Sequence, residues 1–201
     1  MKYLFALCCF LIIVERGFSQ KSFFGMDGGI NISTLRMQAT TNGPSTVSYN
    51  DHVLRTSIGA FYQRGLSNKF SLRLGARYLG LGYQSETYYL TTPPSTNIDY
   101  LTFQVALNYH LTKRLQFGFS PYLSFTIGGT PINNQEITKT FHKNDHGISL
   151  GAEYDIYKNF SIGLHYYFGI KNIILNDALN GVEIYDTNRA FQILIGYKFR
   201  R

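Results

Sequence analysis

The feature that most constrains the fold is an alternation of bulky apolar and small polar side chains. In residues 115–128, LQFGFSPYLSFTIG, one set of alternate positions is mostly leucine, phenylalanine and isoleucine, and the other is mostly glycine, serine and threonine. Residues 160–171 repeat this pattern, and in residues 24–33 apolar positions alternate with aspartate, glycine, asparagine and serine. A period of two residues predicts β-strands with one apolar face.

A short polar break interrupts the alternation in GAEYDIYKNFSIGLHY, residues 151–166, and predicts a β-hairpin there. Related segments, LSNKFSL, LTKRLQF and IYKNFSI, begin at Leu66, Leu111 and Ile156, so that 45 residues separate each from the next. A fixed period indicates a repeated supersecondary unit. A propeller blade needs four strands per period, whereas each period here has two clear strands and a long polar stretch. We therefore interpret the repeat as hairpins joined by long loops.

The whole pattern predicts an all-β chain with eight antiparallel strands. The predicted strands are residues 22–34, 53–64, 70–82, 98–110, 115–128, 146–156, 160–171 and 187–199. The long connections are 35–52, 83–97, 129–145 and 172–186, with turn-forming pairs such as Gly43-Pro44 and Pro93-Pro94. Short turns at one end and long loops at the other are the plan of an eight-stranded antiparallel up-and-down transmembrane β-barrel, with short periplasmic turns and long extracellular loops.

The size of the side chains on the polar face indicates which face is inside. A soluble lipocalin-like barrel, the alternative, directs its bulky apolar face inward and is extracted without detergent. Here the polar face is rich in glycine, serine, threonine and asparagine, which fit the narrow interior of eight strands. The bulky apolar side chains therefore face lipid. Because lipid satisfies no exposed sheet edge, the first and last strands must pair.

The N-terminal segment MKYLFALCCFLIIVERGFSQ is typical of a secretory signal peptide. Lys2 supplies the positive region, an apolar run follows, and small residues precede the predicted cleavage after Ser19. The run is too short for a membrane helix, which needs about 20 apolar residues. We predict a signal peptide at 1–19 and an outer-membrane β-barrel domain at 20–201.

The mature chain has no cysteine, since Cys8 and Cys9 lie in the signal peptide. A lipoprotein site is disfavoured because Leu7 before Cys8 is bulky. Disulfides, thiolate metal sites and cysteine nucleophiles are thereby excluded. Removing the signal peptide leaves 17 basic and 11 acidic side chains, a net of +6 spread along the chain. A charge spread in this way is typical of solvated polar loops and does not favour nucleic-acid binding. The functional alternative is that the basic side chains contact anionic lipid headgroups.

Aromatic residues near the strand ends predict two girdles at the membrane interfaces. The girdle at the short-turn end comprises Tyr109, Tyr154, Phe160, Tyr197 and Phe199. The girdle at the long-loop end comprises Tyr78, Tyr83, Tyr100, Phe125 and Phe168. The last strand places on its lipid face Phe191, Ile193, Ile195, Tyr197 and Phe199.

The mature start FFGMDGGINISTL, the hairpins above and the ending IGYKF, together with a signal peptide ending in Ser-Gln, resemble the PorT-like β-barrel family of Bacteroidetes outer-membrane proteins. The resemblance covers essentially the whole mature chain. It implies periplasmic termini and an aromatic-x-aromatic ending, here Tyr197-Lys198-Phe199, which the barrel-assembly machinery recognises. Arg200 and Arg201 follow Phe199, which departs from the family's pattern.

Several polar-face residues are predicted to enter the lumen: Asp27, Arg73, Arg77, Gln104, Glu153 and His165. Buried arginines need acidic partners, and Glu153 and Asp27 are the candidates. The side chains either form a salt-bridged plug that seals the barrel or line a constriction selective for anions. We favour the plug, because so narrow a lumen should be filled.

Two constellations contain residue types found in active or metal sites. His165 with Ser149 or Ser161 and Asp155 offers the residue types of an activated serine, but no catalytic signature surrounds them. The segment FHKNDH, residues 141–146, contains two histidines four residues apart, which suggests a second hypothesis, metal binding. The alternative is that this segment is simply the solvated end of a loop. We predict no catalytic residue, no cofactor and no metal site.

We predict a non-enzymatic integral protein of the cell outer membrane, with a role in envelope structure or surface interaction. The alternative, which the family's namesake implies, is an accessory component of a protein secretion system of the outer membrane. An envelope barrel should behave alone in detergent, whereas a secretion component should co-purify with other envelope proteins. The expected partners are outer-membrane lipid and lipopolysaccharide, the barrel-assembly machinery during biogenesis, and secretion or envelope proteins, but no nucleic acid.

Overall fold

The computed structural model describes residues 22–40, 45–84, 95–130, 141–174, 178–179 and 182–199, so the predicted signal peptide lies outside the described part. Its strands are β1 (Ser22–Thr40), β2 (Thr46–Tyr49), β3 (Val53–Gly65), β4 (Phe70–Gln84), β5 (Ser95–His110), β6 (Leu115–Gly129), β7 (Asn144–Tyr157), β8 (Phe160–Gly169), β9 (Ala178–Leu179) and β10 (Val182–Phe199). Within the described residues, no helix is long and apolar enough to cross a membrane.

Eight of these strands close into an antiparallel barrel in the order β1-β3-β4-β5-β6-β7-β8-β10, and β10 pairs back with β1. The closing seam is long, and its register runs from Phe24–Phe199 to Thr40–Glu183. Each of the eight predicted strands is present, and the predicted pairing of first and last strands is confirmed. Closure leaves no barrel edge whose backbone groups would need water.

The predicted long connections 35–52 and 172–186 were wrong in part, because they contain further sheet. Strand β1 continues to Thr40 and β10 begins at Val182, so that the two strands keep pairing beyond the barrel wall. Strand β2 folds back on β1, and β9 folds back on β10. The extra pairing satisfies backbone groups that an irregular loop would leave to solvent.

The short turns explain the sequence repeat. In turn 66–69, the backbone N–H groups of Leu66 and Ser67 both donate to the Phe70 carbonyl, at 2.8 and 3.0 Å. Turn 111–114 is built in the same way around the Leu115 carbonyl. The third turn differs: strands β7 and β8 are joined by two residues, and Lys158 takes φ 45°. The repeat therefore marks three hairpins but two turn types.

The two faces of the barrel wall separate as the alternation predicts. Lipid-facing side chains stay exposed, such as Leu164 at 45% and Ile195 at 64%. Their neighbours on the inner face, such as Gln192 and Ser161, are buried. Because these exposed side chains are large and apolar and encircle the barrel, lipid rather than water is their natural environment.

The girdle at the short-turn end is confirmed. Its five side chains are exposed on the outer face. Ring centroids lie about 5 Å apart across strands in the pairs Phe160–Tyr197 and Phe70–Tyr109, which brings in Phe70, and along β10 in the pair Tyr197–Phe199. At the opposite end Tyr78, Phe125 and Phe168 lie on the outer face, but Tyr83 and Tyr100 do not. Tyr100 is fully buried in the lumen, and Tyr83 packs against the buried apolar cluster there. Both tyrosines point inward because of the two-residue alternation. Tyr83 lies two residues after the inward Leu81, and Tyr100 lies two residues before the inward Thr102.

Candidate functional site in the barrel lumen

Four charged side chains from three strands meet inside the lumen near its periplasmic end. Arg73 Nη2 lies 2.7 Å from Glu153 Oε2, and Lys198 Nζ lies 2.5 Å from Glu153 Oε1. Lys198 also contacts the carboxylate of Asp155. We call Arg73, Glu153, Asp155 and Lys198 the charge cluster. Its two positive and two negative groups neutralise one another, which burial of charge requires.

Aromatic and amide groups surround the arginine of the charge cluster. The guanidinium of Arg73 lies 4.1 Å from the ring centroid of Phe61, a cation–π contact. Gln63 Oε1 accepts hydrogen bonds from Arg73 Nε and Nη2 at 2.9 and 2.8 Å. Gly25 lies under the Phe61 ring, where an added Cβ would come within 2.3 Å of the ring. Glycine at position 25 is thus what admits an aromatic ring to so narrow a lumen.

A second ion pair occupies the middle of the lumen. Arg77 Nη2 lies 2.7 Å from Asp27 Oδ1, and both side chains are buried. Gln192 accepts from Arg77 at 3.3 Å and donates to Asn31 Oδ1 at 2.5 Å. Asn31 in turn donates to the backbone carbonyl of Gly80 at 2.8 Å. This network ties β1, β4 and β10 together across the interior, with partners for both charges.

The extracellular half of the lumen is filled by apolar side chains. The cluster consists of Leu35, Leu79, Leu81, Ile98, Tyr100, Tyr122, Phe141, Tyr167, Ile173 and Ala190. We call it the apolar plug. Phe141 and Ile173 belong to no barrel strand, yet both are completely buried. Backbone hydrogen bonds hold them in place: His142 N–H donates to the Ile173 carbonyl at 2.7 Å, and Ile173 N–H donates to the Asp186 carbonyl at 2.9 Å.

All six side chains predicted to enter the lumen do so. The predicted pairing of the arginines is also confirmed, Arg73 with Glu153 and Arg77 with Asp27. The remaining two are Gln104 and His165. Gln104 accepts a hydrogen bond from the Tyr167 hydroxyl at 3.0 Å. The imidazole of His165 lies against the backbone of Gly151 and Gly163.

The residue types of an activated serine do not come together as such a site. No hydrogen bond joins His165 to Ser149 or Ser161 in the part of the chain that the structure describes, and Asp155 contacts Lys198 instead. A nucleophile and its base need to lie within hydrogen-bond reach.

The three residues of the metal-binding hypothesis, His142, Asp145 and His146, also point in different directions. Asp145 points into the lumen, where Asn188 Nδ2 donates to its Oδ2 at 2.9 Å. His146 is exposed on the outer face of β7, and His142 lies outside the strand. Over the described ranges, no group of three His, Cys, Asp or Glu side chains is placed to hold a metal ion.

Four lumen residues were not among those predicted to lie inside. Lys198 and Phe61 occupy inward positions that strict alternation gives, since Lys198 follows Gln192 by six residues and Phe61 precedes Gln63 by two. The alternation alone is therefore sufficient to place both side chains in the lumen. Phe141 and Ile173 had no such signal, because they lie in segments without periodicity.

Layered ion pairs, amides and apolar rings fill the part of this lumen that the structure describes. The fold and the lumen define an integral β-barrel protein of the outer-membrane type. The chain belongs to the outer membrane protein beta-barrel domain family, whose sequence pattern matches residues 18–175. It is a protein of the outer membrane.

Similar solved structures include bacterial outer-membrane barrels. Neisserial surface protein A is 14% identical with a TM-score of 0.44, over 90% of this chain and 100% of that one. Outer membrane protein W of E. coli is 13% identical with a TM-score of 0.39, over 90% and 100%. Ail of Yersinia pestis, in complex with a heparin analogue, is 11% identical with a TM-score of 0.38, over 87% and 99%. A comparison with curated proteins finds no significant match.

Proposed function

We propose that this protein is a sealed, non-enzymatic barrel that serves the envelope as an anchor and presents its extracellular end for interaction. The observation that supports this proposal is the filling of the lumen. The charge cluster, the Arg77–Asp27 pair and the apolar plug follow one another along the barrel, and their side chains are buried. An eight-stranded barrel has space for little else inside.

The extracellular end carries a surface suited to an interaction role. Above the barrel wall, β2, β1 and β10 form a sheet extension in which Val47 pairs with Gln38, and Gln38 with Tyr185. Val47, Tyr49 and Tyr185 are each more than 40% exposed there. Aromatic side chains on a rigid strand are effective contact residues, because little side-chain entropy is lost on binding.

We propose further that the protein belongs to the PorT-like family of Bacteroidetes outer-membrane proteins. This membership is supported by the mature start and by the Tyr197-Lys198-Phe199 ending. Across the described residues we find no feature that favours the secretion-accessory role over the envelope role.

Conductance tests the proposal directly. The mature protein is reconstituted in planar lipid bilayers beside a general porin as the positive control. We expect no discrete current steps from the protein while the porin conducts. Reproducible steps that scale with the amount of protein would refute a sealed barrel and support an anion-selective or other pore.

A further inference from the structure

A cavity of about 460 Å³ opens at the periplasmic mouth, between turns 66–69 and 111–114. Gln63, Ser71 and His110 form its polar floor. A smaller space of about 60 Å³ continues inward from it. Sites for small ligands typically measure about 300–1,000 Å³. The larger cavity is therefore of a size to receive a small molecule.

Cations that lack an acidic partner surround this cavity. Lys69 and Lys113 line the larger space, and Arg114 and Lys198 line the smaller one. Lys198 is neutralised within the charge cluster. In contrast, Lys69, Lys113 and Arg114 form no ion pair with the rest of the described chain. Among the described residues that line either space, Asp155 is the one acid, and it is bound to Lys198. The mouth thus carries an excess of positive charge.

The neutral side chains at the floor bind one another and leave one donor without an acceptor. Gln63 Nε2 donates to Ser71 Oγ at 2.7 Å and to Gln116 Oε1 at 3.1 Å, and Ser71 Oγ lies 2.9 Å from His110 Nε2. The other end of the Gln116 amide, Nε2, is buried and has no acceptor among the described residues. A buried donor without an acceptor is unfavourable by about 1–3 kcal/mol, so an anionic oxygen nearby would be stabilising.

Side-chain hydroxyls fix the backbone of the two turns that carry the cations. Ser67 Oγ accepts from the backbone N–H groups of Lys69 and Phe70, at 3.3 and 3.1 Å. Thr112 Oγ1 accepts in the same way from Arg114 and Leu115, at 3.1 and 2.9 Å. Such hydroxyl-capped turns fix the backbone that carries each cation. The third turn, with Lys158, has a different build and lines neither space.

We propose that the periplasmic mouth is a binding site for a phosphate group. Several cations and the unpartnered Gln116 amide N–H lie around this mouth, and together they suit the tetrahedral oxygens of phosphate. The phosphate belongs either to a soluble phosphorylated molecule of the periplasm or to the headgroup of an anionic phospholipid in the inner leaflet. The site does not depend on whether the lumen conducts.

The test follows backbone amide shifts of turns 66–69 and 111–114 by NMR, with the full mature protein in a neutral sugar detergent. One arm titrates inorganic phosphate and glycerol 3-phosphate at constant ionic strength. A second arm compares nanodiscs of phosphatidylcholine with nanodiscs that also contain phosphatidylglycerol. The test variant is Lys69→Gln with Lys113→Gln. The matched control, Lys158→Gln with Lys143→Gln, removes two exposed lysines that line neither space.

We expect saturable shifts in both turns, and an apparent affinity at least about tenfold weaker in the test variant, as loss of charge-assisted hydrogen bonds implies. The control should bind as the unaltered protein does. Shifts with soluble phosphates support a soluble ligand, and shifts that need phosphatidylglycerol support a lipid headgroup. No saturable shift in either arm, or equal weakening in the control, would overturn the site.

Discussion

Replacing Glu153 with glutamine tests whether the lumen's ion pairs hold the barrel together. Glu153 is 8% exposed and lies within 2.7 Å of Arg73 and 2.5 Å of Lys198. Glutamine keeps the volume of the side chain but removes its charge. Arg73 then retains Gln63 and the Phe61 ring as neighbours but has no anion, whereas Lys198 keeps Asp155.

The expected loss follows from that geometry. Breaking a buried ion pair by removing one partner is unfavourable by about 3–5 kcal/mol, because a charge is left without compensation. Since the introduced glutamine would still accept a hydrogen bond and Lys198 keeps one anion, we place Glu153→Gln near the lower limit, at about 3 kcal/mol. Combining it with Arg73→Gln removes both charges, so the double variant should lose less than the sum of the single variants by about 1.5 kcal/mol or more.

The assay is urea unfolding in lipid vesicles, followed by tyrosine fluorescence and by the mobility of unboiled samples on gels. The matched control is Asp99→Asn, which removes the partner of Arg55 from a pair with the same 2.7 Å separation. Those side chains are about a quarter exposed, so solvent screens the pair and the expected loss is about 1 kcal/mol or less.

Two results would refute the reasoning. One is a free energy of unfolding for Glu153→Gln no lower than that for Asp99→Asn. The other is strict additivity of Glu153→Gln and Arg73→Gln, which would mean that the two charges do not interact in the folded barrel.

Two further changes test the wall of the barrel. Leu164→Arg places a charge on the lipid face and should lower the free energy of unfolding by about 2–4 kcal/mol. Gly163→Ala, at the neighbouring position, should act instead through crowding against His165 in the lumen. Equal tolerance of arginine at both positions would contradict the assignment of Leu164 to the lipid face and Gly163 to the lumen face. Gly29→Ala should weaken the seam, because its Cβ would lie 1.9 Å from the Ile193 carbonyl oxygen, whereas Gly28→Ala meets nothing nearer than 3.4 Å. Equal unfolding midpoints for the two alanine variants would speak against a seam packed this closely.

Alternation predicted the part of the fold that lies in the membrane. A strand between lipid and a filled lumen must change side-chain character at every residue, so the pattern persists in β6 and β8 and fixes their faces. The same rule places Tyr100 inside, beside Thr102, although its aromatic character suggested an interface. Residue type alone was therefore the weaker signal where it conflicted with position.

Outside the membrane the constraint disappears, and so does the predictive signal. The continuation of β1 to Thr40 follows from pairing with β10, a contact between distant parts of the chain that no local pattern encodes. The burial of Phe141 and Ile173 has the same origin, because both are held by backbone contacts from other segments. The ion pairs were accessible from sequence, since buried arginines leave few choices of acidic partner in so small a lumen.

The seam between β1 and β10 also sets the order of events in folding. It joins residues as far apart in sequence as Phe24 and Phe199. Contacts of such high sequence separation form slowly, because chain entropy must be lost before they stabilise. Until β10 arrives, β1 has an open edge that lipid does not tolerate. Insertion strand by strand is thus unfavourable, and wall closure and membrane entry should be one cooperative step. Pulse-labelling hydrogen exchange should show amides of β1 and β10 along the seam gaining protection together and last.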